Sequence, residues 1–413
     1  MSGFQLAGLL LTITAIFSYL NYRFLRLPTT IGVMLMALLI SLGLIALGWL
    51  GVNLQQSSAQ ILAGVRFDET LMQGMLSFLL FAGALHINLN ELAEQRIAIL
   101  VLATAGVMLS TLVMGGALYF LLPVLGLELS LPYCLLLGAL ISPTDPVAVL
   151  AILKTVKVPK TLEIKIAGES LFNDGVGVIA FTLLLQVALG GNHSSGSGIV
   201  VLFLQEAVGG AAFGLSIGWI AYLLLKSVDD YHVEMLLTLA LVSGGYALAA
   251  ALHTSGPIAI VVAGLLIGNH GRRFAMSERT RHNLDLFWEL IDEILNGVLF
   301  VLIGLEVLSL KFTPAWLMAG LLAIPVLLLA RWISVAVPVG VMKFWRKFSP
   351  GAVTILAWSG LRGGIPVALA LSLPVSEQRD LILAITYIIV VFSILVQGLT
   401  IRLVIKEVYR EVV

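Results

Sequence analysis

Apolar runs of about 20 residues, the length that crosses a hydrocarbon core as a helix, follow one another along this 413-residue chain. Only 11% of the residues are charged, whereas a soluble domain carries about 25%. Backbone polar groups in hydrocarbon must find partners inside the protein, which favours helices. We therefore predict an all-α polytopic membrane protein.

Thirteen runs are candidate spanning helices. They lie at residues 4–21, 28–50, 71–88, 97–124, 131–153, 164–190, 198–225, 234–252, 256–270, 284–309, 314–342, 351–373 and 380–401. Lysine and arginine test this count, because they concentrate in cytoplasmic loops. With the N-terminus outside, 18 of the 23 fall in inside segments, and only Arg66, Lys311 and Arg379 fall in outside loops. The pattern predicts an outside N-terminus and a cytoplasmic C-terminus.

The order of the runs predicts an internal repeat. Six runs precede the glycine- and serine-rich loop at 190–198, and the seventh run would join them to a second set of six. A linker helix between two six-helix units places the units in opposite orientations, which is the arrangement of inverted repeats. We predict thirteen transmembrane helices in two inverted six-helix repeats joined by a linker helix.

Two runs, each the fifth of its unit, contain helix-breaking residues. The fifth run includes ISPTDPVAV and the twelfth includes SGLRGGIPVAL. Asp145 before Pro146 is typical of a helix restart, and Arg362 before two glycines is typical of a helix end. Simple proline kinks would not explain these two charges at membrane depth. Interrupted helices at matching positions indicate the central site of a transporter, so we expect the two to cross there.

The sixth run carries the string GESLFNDG, whose polar members are Glu169, Ser170, Asn173 and Asp174. On a helix, Ser170 and Asp174 share one face, and Glu169 lies on another with Asn173. Neither a buried carboxylate nor a buried guanidinium is tolerated alone. We therefore expect Glu169 to form a structural ion pair with Arg362, and Asp174 to face a cavity with Ser170.

A buried carboxylate such as Asp174 holds either a proton or a small cation, and this competition is sufficient for exchange. Oxygen ligands suit hard cations. Ser170 and the side chain or carbonyl of Thr144, next to Asp145, would complete a Na⁺ site around Asp174. Asn173 adds no charge, so one carboxylate would exchange one proton for one monovalent cation without net charge movement.

The strings ISPTDPVAV, GESLFNDGVGVIAF, HTSGPIAIVVAGLLIGN, LNGVLFVLIGLEV and WSGLRGGIPVALALSLP resemble the NhaP/NHE branch of the monovalent cation/proton antiporters, in order and along nearly the whole chain. The resemblance implies Na⁺/H⁺ exchange, a part in pH homeostasis, and a homodimer in the plasma membrane of a prokaryotic cell. No cofactor is expected besides the transported Na⁺ and H⁺, and no nucleic-acid partner.

The same resemblance implies roles for residues and segments. Asp174 corresponds to the aspartate that binds ion and proton, with Asn173 as its motif partner and Ser170, Thr144 and Asp145 at the site. Glu169 corresponds to the partner of Arg362. The family's moving core would comprise 97–190 and 310–413. The scaffold and dimer helices would comprise 1–96 and 191–309, including the linker helix.

One position departs from the family pattern. The third run reads LLFAGAL, with Ala82 where relatives often carry an acidic residue. Ion preference is therefore open between Na⁺, Li⁺ and K⁺, and K⁺/H⁺ exchange is the alternative function. A cation channel would need a filter repeated by symmetry, which fits less well. An enzyme is disfavoured, because there is no HExxH or P-loop motif and no histidine or lysine beside the polar cluster.

Three further patterns carry expectations. The tenth run begins with four acidic residues, which form either a negative funnel for cations or a solvated helix start: Asp285, Glu289, Asp292 and Glu293. Arg331 lies within the eleventh run and needs a partner, either Asp145 or a carbonyl of a broken helix. Four glycines of the seventh run have the spacing of close helix packing: Gly209, Gly210, Gly214 and Gly218.

Overall fold

The structure is a computed structural model that describes residues 3–49, 74–153, 158–190, 196–308, 310, 313–346 and 348–410. Some sequence predictions fall outside these residues: Arg66, Lys311, 191–195 of the loop, and 50, 71–73 and 309 of the apolar runs. Every regular element in the described part is a helix. The β-type backbone pairing found there is an isolated bridge between Asp145 and Leu361. The all-α prediction is confirmed.

The described residues form eighteen α-helices. They are α1 Gly3–Leu20, α2 Thr29–Trp49, α3 Leu76–Leu85, α4 Leu89–Val101, α5 Val107–Leu121, α6 Leu131–Ile141, α7 Val147–Leu153, α8 Lys160–Ala188 and α9 Gly196–Lys226. They continue with α10 Tyr231–Ala251, α11 Gly256–Leu266, α12 Arg272–Ala275, α13 Glu278–Glu306, α14 Pro314–Met342, α15 Ala352–Trp358, α16 Gly364–Leu371, α17 Glu377–Phe392 and α18 Gly398–Arg410. A π-helical turn, Leu102–Gly106, joins α4 to α5, and another, Ser393–Gln397, joins α17 to α18.

Several helical stretches have the dimensions of membrane spans. Within the described residues, eight are long and apolar enough to cross a bilayer: Phe4–Leu25, Thr29–Leu47, Leu89–Leu125, Lys160–Ala188, Val201–Lys226, Tyr231–Ala251, Pro314–Met342 and Glu377–Val408. Two shorter apolar helices, Leu76–Leu85 and Leu131–Ile141, accompany them. The multi-span class is thus supported, and the count of thirteen spans stays a prediction.

The two predicted interruptions are present. The fifth run divides into α6 and α7, and the twelfth divides into α15 and α16. Helix α6 ends at Ile141, just before Pro143, which has no N–H to continue the hydrogen-bond ladder. Helix α7 restarts directly after Pro146. Both breaks therefore lie where the sequence loses helix-forming capacity.

Buried apolar side chains form two large clusters. One joins α3, α10, α11 and the first half of α13 around Phe81 and Trp288, whose rings are 4.6 Å apart. The other surrounds the broken helices and takes in α5, α8, α14 and α17, together with part of α2 and the far end of α13.

Small residues bring α9 against α11, as the glycine spacing predicts. A Cβ at Gly214 would lie 2.3 Å from the carbonyl oxygen of Ala259, and a Cβ at Gly210 would lie 2.7 Å from that of Ser255. These contacts are with backbone atoms, which cannot rotate away as a side chain can. The two helices therefore touch along their backbones only because these positions lack side chains.

We expect Gly214→Ala to destabilise the protein by about 1–3 kcal/mol, because the added methyl group forces the helices apart. Gly244→Ala on α10 is the matched control, since a Cβ there meets nothing within 4 Å. Thermal unfolding of both variants in detergent measures the difference. Equal melting temperatures for Gly214→Ala and the wild type would contradict the backbone contact of α9 with α11.

Candidate functional site

The two broken helices meet at their breaks. The backbone N–H of Asp145 donates to the carbonyl oxygen of Leu361 at 2.8 Å, and this pairing forms the isolated bridge. The Asp145 Oδ1 accepts from the backbone N–H of Val147 at 2.9 Å, which caps the start of α7. The predicted crossing is therefore seen at atomic contact, and Asp145 connects the two breaks.

Gly363 makes this close approach possible. A Cβ at this position would lie 2.3 Å from Asp145 Oδ2 and 3.0 Å from the Asp145 Cβ. Any side chain at 363 would displace the carboxyl group that caps α7. Helix α15 ends at Trp358, and Gly363 and Gly364 stand at the start of α16, so the prediction that Arg362 and this glycine pair mark a helix end is wrong. The glycine at 363 instead serves the contact between the breaks.

Helix α8 carries the GESLFNDG cluster past the first break. The Thr144 backbone N–H donates to Asn173 Oδ1 at 3.2 Å, and Asn173 Nδ2 donates to Thr144 Oγ1 at 2.8 Å. The Ser170 hydroxyl donates to the Thr144 carbonyl oxygen. The side chains of Ser170 and Asn173 therefore replace the helical hydrogen bonds that Thr144 loses at the break.

A cavity of about 700 Å³ reaches these groups. Its lining includes Thr144, Asp145, Ser170 and Asp174, so four of the predicted site residues come together there. Asn173 is fully buried and is not part of this lining, and its amide is used by Thr144. The geometry assigns Asn173 to holding the break, with Asp174 as the cluster's carboxylate on the cavity.

Glu169 pairs with Arg331, so the predicted pair with Arg362 is wrong as a contact. Arg331 Nη1 lies 2.5 Å from Glu169 Oε1, and Nη2 lies 3.1 Å from Oε2. This two-pronged geometry satisfies both carboxylate oxygens, which a single contact cannot do. Arg331 Nη2 also donates to the Leu356 carbonyl oxygen at 3.0 Å. Of the two partners expected for Arg331, the carbonyl of a broken helix is confirmed.

Arg362 is held by its own segment instead. Its backbone N–H donates to Ser393 Oγ at 2.9 Å, and its Nη1 donates to the Gly360 carbonyl oxygen at 3.1 Å. The side chain is 1% exposed, and among the described residues its Nε and Nη2 have no hydrogen-bond partner. Arg362 remains within electrostatic reach of Asp174 and Glu169. Within the described part of the chain it is therefore a buried positive charge beside the cavity that forms no ion pair.

The four acidic residues at the start of α13 do not all have the same surroundings. Glu289, Asp292 and Glu293 line the cavity, as the funnel interpretation requires. Asp285 instead forms an ion pair with Arg272. His86, which lines the cavity as well, has its Nε2 3.8 Å from Asp285 Oδ1. Three of the four acidic residues thus face the route to Asp174.

The cavity has no carboxylate from α3, where Ala82 and Gly83 form part of its lining. Among the described residues, no three histidine, cysteine, aspartate or glutamate side chains converge tightly enough to hold a metal ion. What the described geometry offers a cation is the Asp174 carboxylate, with the neutral oxygens of Ser170 and Thr144 nearby and with Asp145, whose Oδ1 caps α7, on the same lining.

Comparisons with known proteins agree on one family. The family described as "Sodium/hydrogen exchanger, transmembrane" matches residues 10–407. The chain is 48% identical over 410 residues to the Na(+)/H(+) antiporter NhaP of Pseudomonas aeruginosa, covering 98% of this chain and 97% of that protein. It is 35% identical over 391 residues to the Na(+)/H(+) antiporter NhaH of Halobacillus aidingensis, covering 93% of each.

A solved structure has the same fold. The sodium proton antiporter MjNhaP1 from Methanocaldococcus jannaschii superimposes with a TM-score of 0.75 at 20% sequence identity, over 97% of both chains. At this identity the likeness is evidence for the fold alone.

We expect Glu169→Gln and Arg331→Gln each to cost about 3–5 kcal/mol of stability, because each leaves a buried charge without its partner. The double variant should recover much of this loss, since neither charge then remains. Thermal unfolding of the two single variants and the double variant in detergent measures the coupling. Recovery of Glu169→Gln by Arg362→Gln, and not by Arg331→Gln, would show that the pairing seen here is wrong.

Proposed function

The chain belongs to the sodium/hydrogen exchanger family, and we propose that it exchanges Na⁺ for H⁺ across a membrane by alternating access. The observation that carries this proposal is the Asp174 carboxylate at the inner end of an acidic cavity, beside two crossing broken helices. Its relatives bear the name Na(+)/H(+) antiporter at up to 48% identity over nearly the full chain. No covalent chemistry is required of the residues involved.

Ion and proton would compete for Asp174. The carboxylate, the Ser170 hydroxyl and oxygens of Thr144 form a small set of hard ligands, which suits Na⁺. The same carboxylate is neutralised equally well by one proton. Because a single group accepts either, binding of one releases the other, and loading from opposite sides produces exchange.

The fixed charges support a one-to-one exchange without net charge movement. Glu169 and Arg331 cancel each other in their ion pair. Arg362 then offsets one of the two aspartates at the cavity, Asp145 and Asp174, and one negative charge remains. One monovalent cation or one proton brings the site to neutrality. In either loaded state the moving part would carry the same charge.

Coupling would follow from the cost of the empty state. A bare carboxylate in an apolar environment is several kcal/mol less favourable than a neutralised one. Movement of the site through the membrane barrier is therefore allowed when Asp174 carries Na⁺ or H⁺ and is opposed when it carries neither. The penalty prevents uncoupled leak.

For the architecture we propose thirteen transmembrane helices in two inverted six-helix repeats joined by a linker helix. The core would comprise 97–190 and 310–413, and the scaffold with its dimer contacts would comprise 1–96 and 191–309. In support of the scaffold, the cluster around Phe81 and Trp288 draws all of its buried members except Leu171 from these two ranges. We further propose a homodimer in a prokaryotic plasma membrane, with the N-terminus outside and the C-terminus in the cytoplasm.

K⁺/H⁺ exchange by the same mechanism is the second candidate. The observation that favours it is Ala82, which lines the cavity without offering an oxygen ligand. Fewer charged ligands bind small, strongly hydrated cations less tightly, which narrows the preference for Na⁺ over K⁺. The cation series below distinguishes the two functions.

Proton flux in sealed vesicles with an imposed acid-inside gradient tests the proposed function. Addition of Na⁺ to the wild type should dissipate the gradient, with Li⁺ and K⁺ added in parallel to define the substrate. Asp174→Asn should abolish the response, because the amide holds neither ion nor proton. Asp229→Asn, an exposed loop carboxylate outside the cavity lining, is the charge-matched control. An active Asp174→Asn variant, or a silent wild type, would refute the mechanism.

Exchange by the wild type should not depend on membrane potential, because one charge replaces one charge. The measurement is the initial exchange rate in the same vesicles with the potential clamped at several values. Arg362→Lys keeps the fixed charge and should preserve this independence, whereas Arg362→Gln should make any remaining exchange sensitive to potential. A wild-type rate that varies with potential would show that the charge count at the crossing is incomplete.

A further inference from the structure

A row of polar side chains on α13 leads from the rim of the cavity towards its interior. Glu289, Asp292, Glu293 and Asn296 all line the cavity and stand at positions i, i+3, i+4 and i+7, so they share one helix face. Their exposure differs. Glu289 and Glu293 are exposed, Asp292 is half-buried, and Asn296 is 3% exposed.

Asp292 is the inner carboxylate of this row, and it lacks a counter-charge. The described residues place no lysine, arginine or histidine nitrogen within 4.0 Å of it, although they contain such pairs for Glu91, Glu169 and Asp285. Asp292 is within electrostatic reach of Asp145, across the cavity at the helix breaks. A carboxylate facing another carboxylate without a fixed cation between them favours a mobile one.

Asn296 places a buried amide beside this carboxylate. Its side chain interacts with Asp292, yet among the described residues its buried Nδ2 has no hydrogen-bond acceptor within 3.5 Å, so the amide is not fully used by the protein. Buried amides ordinarily use their polar atoms, and an unused one on a cavity wall is where water or a hydrated ion completes the bonding. The amide can also turn its oxygen towards a cation.

Another part of the lining leaves room for such an ion. The lining contributed by α3 includes Ala82 and Gly83, which place no polar side-chain atom there. With a cavity of about 700 Å³, a cation beside Asp292 would retain several waters. The charge, the unused amide and the free volume therefore coincide at one place.

We infer that Asp292 and Asn296 form an outer cation site, where a partly hydrated monovalent cation binds before it passes to Asp174. The inference rests on the proposed function for its physiological meaning, but the site itself is a binding site that is testable without transport. Asp292 would supply the charge, Asn296 an amide oxygen and the cavity the remaining waters. Glu289 and Glu293 would act only through their field at the rim.

The first test compares Asp292→Asn with Glu293→Gln, which removes the same charge from the exposed part of the row. The readout is the KM for Na⁺ in the vesicle assay at constant ionic strength, balanced with choline chloride. We expect Asp292→Asn to raise the KM about fivefold, the effect of losing one charge contact in a hydrated cavity. Glu293→Gln should raise it less than about twofold at 0.3 M ionic strength, where exposed charges are screened.

Equal KM values for the two variants, or loss of the Asp292→Asn effect at high ionic strength, would overturn the inference in favour of a diffuse negative field. A wild type without cation-driven proton flux would refute the proposed function instead. The second test is needed in that case, because it does not use transport.

The second test measures Na⁺-dependent thermal stabilisation in detergent in an Asp174→Asn background, where the inner site is disabled. Replacing choline chloride with NaCl should still raise the melting temperature of Asp174→Asn. The rise should persist in Asp174→Asn with Glu293→Gln and disappear in Asp174→Asn with Asp292→Asn. No rise in the Asp174→Asn variant, or one that survives the loss of Asp292, would exclude the outer site.

Discussion

The exposed backbone at two helix breaks is the constraint on which the rest of this structure depends. In an apolar environment, N–H and C=O groups that leave a helix must find partners within the protein. Here the breaks satisfy each other through Asp145 and Leu361, and α8 satisfies Thr144 through Ser170 and Asn173. The polar cluster is therefore part of the fold before it is part of a site. The requirement also brings Asp174, one turn further along α8 from Ser170, to the end of the cavity.

The buried charges around the crossing divide into a paired set and an unpaired one. Glu169 and Arg331 are joined by two hydrogen bonds, and Arg331 adds a third bond to the end of α15, so this pair ties α8, α14 and α15 together. Asp145, Asp174 and Arg362 remain, and they cannot balance among themselves. A structural role is thus sufficient for Glu169 and Arg331. The other three charges leave one negative charge that an exchangeable cation can neutralise. The proposed electroneutral exchange depends on this separation.

Sequence reasoning predicted the elements and the inner site better than the partners. The helix restart at Asp145–Pro146 and the shared face of Ser170 and Asp174 are local patterns, which the chain specifies within a few residues. The partner of Glu169 is 162 positions away, and two arginines at similar depth were available, so spacing along the chain could not choose Arg331. The usable signal was that Arg331 stands within an apolar run, where a charged side chain needs a partner. For Asp292, the same helix face is compatible with a negative funnel and with a solvated helix start. Only the packing of α13 shows that this face lines the cavity.

The ends of the half-helices explain why Asp174 is the group left to a mobile ion. The crossing joins two helix C-terminal ends, from α6 and α15, with two N-terminal ends, from α7 and α16. Helix dipoles leave partial positive charge at N-terminal ends and partial negative charge at C-terminal ends. Asp145 caps the start of α7 and lies against the start of α16 at Gly363, so it complements two helix ends that cannot move away from it. The end of α15 is matched by Arg331, which donates to the Leu356 carbonyl oxygen. Asp174 lies within the unbroken α8, where no helix end offsets its charge. Arg362 offsets only one of the two aspartates at the cavity, so the remaining charge has to be neutralised from outside the protein, and a partner from outside is one that can be exchanged.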